Sequence, residues 1–275
     1  MRINTNLAAL NAWRALTINH GAMTKSLEKL SSGYRVNRAA DDAAGLAVSE
    51  KMRAQIRGLN MAVRNAQDGV SLIQTAEGGA QKIQDMLQRM RELAVQAASD
   101  TLDDPDRQLL NKEFAQLIEE IERTANSTTF NEKELLNADA ASATFDIHVG
   151  PGADPDNDVI TLQMADLTDT GLKISELTIS TKSDATTAIS TLDNAIDTVS
   201  STRATFGAYQ NRLEGAIETL KIQAENLTAA ESRIRDADMA LEMATFTKYQ
   251  ILQQASTAML AQANMSTQSI LSLLR

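Results

Sequence analysis

Few residues in this chain could do chemistry. His20 and His148 are its two histidines and it has no cysteine, so composition excludes a thiolate metal site, a cysteine nucleophile and a disulfide framework. No nucleophile–histidine–carboxylate set, P-loop or dinucleotide fingerprint occurs in its 275 residues. Each histidine reads as a surface residue, His20 on a helix and His148 on a strand. Asp154, Asp156 and Asp158 alternate loosely as in a calcium loop, but the glycine and bidentate glutamate of an EF-hand are missing. An acidic turn explains that spacing more simply. The sequence therefore predicts no enzyme, no metal site and no cofactor, and leaves apolar stripes and charge as the features that can act.

Charge and composition narrow the partners. Aromatic residues are 3% of the chain, too few for a base-stacking platform. Residues 1–65 carry ten Lys/Arg against four Asp/Glu, but these are spread around helices, so no nucleic acid partner is expected. Residues 131–200 carry three Lys/Arg against thirteen Asp/Glu and read as a solvated outer surface. Met1-Arg2-Ile3-Asn4 opens no apolar run with a cleavage site, so no cleavable signal peptide is expected. From Tyr249 to Leu274 there is no charge at all. Lipid would nevertheless leave Gln250, Gln253, Gln254, Gln262, Asn264 and Gln268 unsatisfied, so no membrane span is expected. Such a stretch suits surroundings of protein on every side, as in a polymer core.

The elements that position these surfaces are mostly helices. Ile3, Leu7 and Leu10 recur at helical spacing, as do Met23, Leu27, Leu30 and Tyr34, and Ser32-Gly33 reads as a terminator. Asp41-Asp42 can cap a second helix carrying Ile56, Leu59, Val63, Ala66, Val70 and Ile73. Gly78-Gly79 is expected to bend or break it before the stripe resumes in shifted register at Ile83, Leu87, Met90 and Ala94. Asp104-Pro105 starts a third helix burying Leu110, Phe114, Leu117 and Ile121. Residues 124–142 are polar and turn-rich. Alternation at Phe145, Ile147 and Val149, and again at Ile160, Leu162 and Met164, predicts a β-hairpin with a long acidic loop. From Ile189 to Leu227 a 3,4 spacing persists over about five heptads, with Arg203 and Gln210 on the seam and Asp184 as N-cap. A last helix from about residue 240 carries Leu252, Ala255, Met259 and Ala263, then Ile270 and Leu274.

The expected fold is mainly α: a long, antiparallel, coiled-coil-like helical rod with a small β-hairpin at the end far from both termini. The terminal stripes, Ile3, Leu7 and Leu10 at one end and Leu252, Ala255 and Met259 at the other, have little partner surface within the chain. They pack between copies, unless the two terminal helices close on each other as a hairpin. On residues 83–96 the seam leaves Arg89 and Leu93 together on a neighbouring face at i,i+4, a pairing suited to an interface hot spot. Axial packing between copies would use the same face.

Several segments are recognisable together. Leu27–Glu50, with Leu30-Ser-Ser-Gly-Tyr-Arg-Val-Asn-Arg38 inside it, resembles the N-terminal signature of bacterial flagellin. Gln67–Glu77, Leu87–Gln96, Glu225–Met239 and Leu271-Ser-Leu-Leu-Arg275 resemble the same family in the right order. Only residues 130–184 separate the helical halves, so this resembles a short form lacking the outer inserted domains. The resemblance implies a subunit that self-assembles into the flagellar filament, exported unfolded, folded at the filament tip and placed outside the cell in the bacterial flagellum. It implies an inner terminal coiled coil from residues 1–42 and 235–275, and a helical rod domain from 43–234 with the hairpin near 143–165. The partners it implies are other copies in a helical homopolymer, a flagellar export chaperone, the filament cap and hook-junction proteins. It further implies host Toll-like receptor 5, with Arg89, Leu93 and Glu113 at the family's contact. Ser183, Thr186 and Thr187 are glycosylation candidates in a family often modified on its outer surface. A junction relative sharing the helical ends is the alternative, and matches at both termini favour the filament subunit.

Overall fold

In the computed structural model of the chain, residues 6–137, 141 and 144–273 are described, with side chains as far as Ser266 at the C-terminal end. The elements are α1 (Leu7–Ser32), α2 (Ala43–Ala97), α3 (Asp104–Ser127), β1 (Thr129–Phe130), β2 (Lys133–Glu134), β3 (Thr144–His148), a single turn α4 (Pro155–Asp158), β4 (Val159–Gln163), α5 (Lys182–Arg235) and α6 (Met239–Leu273). They form two compact units: a terminal unit of Met1–Ile56 with Glu225–Arg275, and a central unit, Arg57–Ala224. The fold is mainly α with two small antiparallel hairpins, β1–β2 and β3–β4.

The central unit is built on α2 and α5. Their polar contacts run in opposite directions: Arg91 reaches Asp193 at 2.6 Å, Arg203 reaches Gln84 at 2.7 Å, and Gly69 lies beneath Leu213. The pair is therefore antiparallel, as the sequence implies. On α5 the buried set Ala185, Leu192, Val199, Phe206, Leu213 and Leu220 repeats every seven residues, the period of a coiled-coil seam. Ala188 and Ala195 join it, whereas Ile189 and Ile196 are only half-buried. Arg203 sits on the seam with its Nε buried and unpaired, its other nitrogens meeting Gln84 and Glu77.

Two sequence expectations for α2 and α5 need correction. Gly78-Gly79 does not break α2, which runs unbroken for 55 residues. Its buried stripe passes through Ile73, Ala76, Ala80, Ile83 and Leu87 without a register shift, because alanines carry it past the glycines. A Cβ at Gly79 would meet Leu136 and Thr128 at 2.7 Å, so glycine there lets the β1–β2 connection lie against the helix. Contact of this kind offsets the roughly 1 kcal/mol that a helical glycine costs. The second correction is at the start of α5, where Thr181 is the cap. Its hydroxyl accepts the Asp184 N–H at 3.2 Å, the N-cap bond, and donates to the Asp184 carboxylate at 2.7 Å. Likewise Asp103, one residue earlier than expected, precedes α3, and Pro105 occupies the first turn.

The loops close the unit. Arg107, 7% exposed, donates to the carbonyls of Ala97 at 2.8 Å and Ser99 at 2.8 Å and pairs with Asp104 at 2.8 Å. It thereby satisfies the last carbonyl of α2, which no helical N–H can reach, and one in the turn beyond it. β3 and β4 pair as their alternation predicts, with Phe145 opposite Leu162 and Ile147 opposite Ile160. The position of this hairpin differs from expectation. It lies alongside the helices, with Pro151 against Gly58, Ile147 against Gly69 and Asn65 donating to the His148 carbonyl at 3.1 Å. The opposite end of the central unit holds the α2–α3 turn, where Lys182 pairs with Asp100 at 2.7 Å. Small side chains on α2 make room for the hairpin there. The shorter β1–β2 hairpin turns on Asn131 and Glu132, both with left-handed φ (49° and 64°), and falls where the sequence reads only as polar and turn-rich.

The seam makes a quantitative prediction. Leu213 is fully buried, so Leu213→Ala should cost about 2–5 kcal/mol. A thermal melt within a degree of the parent chain would show that the seam does not carry the central unit.

Candidate assembly surface

The terminal unit is a pair of helices, α1 and α6, each capped by its own sequence. Asn6 accepts from the Ala9 N–H at 3.1 Å, and Gly33 ends α1 at φ 76° with its N–H on the Lys29 carbonyl. Asp238 accepts from the N–H groups of Ala240 and Leu241 to begin α6. The helices run antiparallel: Asn6 donates to the Ala263 carbonyl at 2.9 Å and Asn19 to Ser256 at 3.1 Å. At the other end Tyr34 bridges Asp236. The half-buried residues of the two helices mix small and polar side chains with a few larger ones: Ala9, Ala12, Leu16, Asn19, Met23 and Leu30 on α1, with Thr245, Phe246, Tyr249, Gln253, Ser256, Leu260 and Ala263 on α6.

This packing leaves most of the large apolar side chains outside. Leu7 (64%), Trp13 (60%), Leu241 (66%) and Met259 (63%) are exposed, as are Leu10, Ile18, Leu27, Met243, Ile251 and Leu252. Thirteen of the seventeen exposed large hydrophobics of the described chain belong to the terminal unit, against one buried apolar side chain there, Val36. At 100° per residue, Leu241, Leu252 and Met259 fall on one flank of the α6 seam, Met239 and Met243 fall on the other, and Ile251 and Met265 fall on the face opposite the seam. Apolar surface on both flanks calls for neighbours on more than one side.

A cluster at the junction of the loops holds this unit together. Arg35 N–H donates to the Arg235 carbonyl at 2.7 Å and Ala237 N–H to the Gly33 carbonyl at 2.9 Å. The Arg235 guanidinium stacks 4.8 Å from the Tyr34 ring centre and pairs with Glu50 at 2.6 Å. Hydrogen bonding from Arg235 is the main force holding the Glu50 carboxyl below its usual range. Sequence reasoning missed these three residues. Their signal was slight, basic residues in the last turn of α5 beside an aromatic in a loop.

The other site residues expected from sequence fall as follows. Leu7, Leu10, Ala255, Leu252 and Met259 are all on exposed positions of α1 and α6. Ile3 lies outside the described residues. Arg89 and Glu113 are brought together by α2 and α3 in an ion pair of 2.9 Å, both about half exposed, with Glu92 on the same guanidinium at 3.1 Å. Glu113 above all, then Glu92, holds the Arg89 guanidinium more firmly charged than usual. Leu93 is not with them: it is 1% exposed, because α3 covers a wider face of α2 than a two-position stripe allows. That corrects its expected place beside Arg89. Ser183, Thr186 and Thr187 are exposed in the first turns of α5, the two threonine hydroxyls donating to the Lys182 and Ser183 carbonyls. No helix among the described residues is long and apolar enough to cross a membrane.

Two family models match the chain, the bacterial flagellin N-terminal helical region over residues 3–141 and the bacterial flagellin C-terminal helical region over 189–274. It is 51% identical over 277 residues to a flagellin of Halalkalibacterium halodurans, and 48% identical over 305 residues to a flagellin of Bacillus subtilis. Each alignment covers all of both chains. A flagellar filament 31.3 kDa core protein of Treponema maltophilum is 45% identical, again over the full length of both chains. Among solved structures, a Bacillus cereus flagellin superposes with a TM-score of 0.51 at 35% identity, covering 61% of this chain and 94% of that one.

The junction cluster predicts an acid-sensitive terminal unit. Glu50 has a depressed pKa in the fold, so its contribution is full above the ordinary carboxylate range near pH 4 and is lost as pH falls through the lower folded value. Tyr34 ring resonances should therefore shift on acidification below about pH 4, and Glu50→Gln should remove that step. A step of unchanged size in the variant would assign it to another group.

Proposed function

Because this chain belongs to the bacterial flagellin family, we propose that its terminal helix pair is the surface through which copies assemble into a helical flagellar filament. The chain is a structural protein of the flagellar filament type, not an enzyme. The observation that carries the proposal is the burial imbalance of the terminal unit, where thirteen large apolar side chains are exposed and one, Val36, is buried among the described residues. In the assembled polymer, residues 1–42 and 235–275 form the inner coiled coil, and Leu7, Leu10, Leu252, Ala255 and Met259 pack between copies together with Ile3. Residues 43–234 form the surrounding helical domain. Ser183, Thr186 and Thr187 face solvent, where a glycosyl transferase can reach them.

The same imbalance supports a route of delivery. A terminal unit that buries almost no apolar side chain by itself is held only weakly against chain entropy until neighbours arrive. Export as an unfolded chain, guarded by a flagellar export chaperone, with folding at the tip under the filament cap and above the hook-junction proteins, fits that requirement. The absence of cysteine suits passage to an oxidising exterior.

A second reading rests on the Arg89–Glu113 pair. An exposed, geometrically fixed ion pair beside a wide groove of about 580 Å³ lined by Met86, Leu117 and Arg123 is the contact offered to host Toll-like receptor 5 by unassembled chains. Leu93 contributes from beneath by fixing the helix, not by touching the receptor. Arg89→Ala with Glu113→Ala should strongly weaken receptor signalling in a reporter-cell assay while circular dichroism is unchanged. Undiminished signalling would move the contact elsewhere.

Deletion tests the main proposal. Removing residues 1–30 or 245–275 takes away an assembly stripe but leaves the central core intact. Either truncated chain should remain helical, sediment as a monomer and form no filaments under the electron microscope. Normal filaments from one of them would refute the terminal pair as the assembly surface.

A further inference from the structure

The chain has no thiol, so its sulfur chemistry is confined to eleven methionines. Among the described residues, Met90 (0% exposed) and Met164 (5%) lie in the central core, and Met23, Met52 and Met86 are half-buried. Met61 on α2 is 51% exposed, and Met239, Met243, Met259 and Met265 on α6 are 46–63% exposed. We propose that the four α6 thioethers form an oxidation site for peroxide, and that their oxidation blocks assembly without disturbing the folded chain. The inference rests on the assembly surface proposed above.

The chemistry balances simply. A sulfur lone pair attacks one oxygen of hydrogen peroxide, the O–O bond breaks, and the sulfoxide forms as water leaves. Sulfur is oxidised by two electrons and the peroxide is reduced. An exposed thioether meets this reagent freely, whereas Met90 and Met164 are shielded by packing. The sulfoxide is a strong hydrogen-bond acceptor on a side chain that was apolar. On the isolated chain that change faces water and is harmless. Between copies it must be buried, and polar groups cost when buried without a partner. Because Met259 lies on one flank of the α6 seam, Met239 and Met243 on the other and Met265 on the outer face, contacts on every exposed side of α6 are affected. Assembly in turn covers the thioethers, so the unassembled chain is the oxidisable form and the filament is protected.

The test treats unassembled full-length chain with hydrogen peroxide and maps sulfoxides by peptide mass spectrometry. Sulfoxide is expected at the four α6 methionines and at exposed Met61, which belongs to the central unit and not to the terminal helices, and not at Met90 or Met164. The critical concentration for polymerisation should then rise about tenfold or more, which is about 1.4 kcal/mol per tenfold step, with helicity and melting unchanged. Methionine sulfoxide reductase should restore it. A chain carrying Leu at all four positions should polymerise equally before and after peroxide. Peroxide-treated chain that is oxidised at these sites yet polymerises at the original concentration would overturn the proposal and leave the assembly surface standing. So would a blocked chain that the reductase does not rescue. Filaments formed by the 245–275 deletion would instead remove the assembly surface itself, and the proposal with it.

Discussion

Apolar side chains in a marginally stable protein must leave water somewhere, and in this chain the terminal helices cannot do it alone. Their half-buried residues mix alanine, serine, threonine and amides with a few larger side chains such as Leu16, Phe246 and Leu260, none of them fully buried, so little apolar area is removed. Leu7, Trp13, Ile18, Leu241, Ile251 and Met259 remain in solvent. At roughly 25 cal/mol per Å² of apolar surface, such side chains on two flanks represent a large unrealised burial. The central unit has the opposite economy, with its leucines, isoleucines and phenylalanines inside. One half of the sequence is therefore written to fold and the other to associate.

Between these two tasks stands a small set of polar contacts. Glu50, Tyr34 and Arg235 tie the loop after α1 to the loop before α6, with two backbone hydrogen bonds alongside. The Arg235 Nε is buried without a partner, so this cluster carries a cost as well as a benefit. Its geometry holds the ends of α1 and α6 in register while their outer faces stay free.

The sequence disclosed what depends on period and hid what depends on contact. Helical spacing and strand alternation are local properties, so the long helices and the β3–β4 hairpin were legible from Phe145, Leu162 and Leu213 onward. Gly79 misled because a glycine pair breaks a helix in isolation, whereas here Leu136 and Thr128 occupy the space a Cβ would take. The caps at Thr181 and Asp103 slipped because neighbouring residues offer equally good oxygens. Leu93 was misplaced for a tertiary reason: a third helix widens the covered face of α2, and no single-helix pattern contains that information. In the terminal unit the stripes were legible as apolar surface with little partner inside the chain, whereas the half-buried α1–α6 face of Ala9, Asn19 and Ser256 was not, since sequence spacing does not say which of two faces a partner helix takes.

The seven-residue spacing from Ala185 to Leu220 carries a mechanical meaning. A straight α-helix falls behind such a repeat by about 20° per heptad, or about 100° across five. To keep Leu192, Phe206 and Leu213 against α2, the two helices must wind about each other with a left-handed sense. A wound pair is chiral as an elastic body. Torque that tightens the winding presses the seam together, and torque of the opposite sense peels it open, so the torsional stiffness of the central unit depends on the direction in which it is turned.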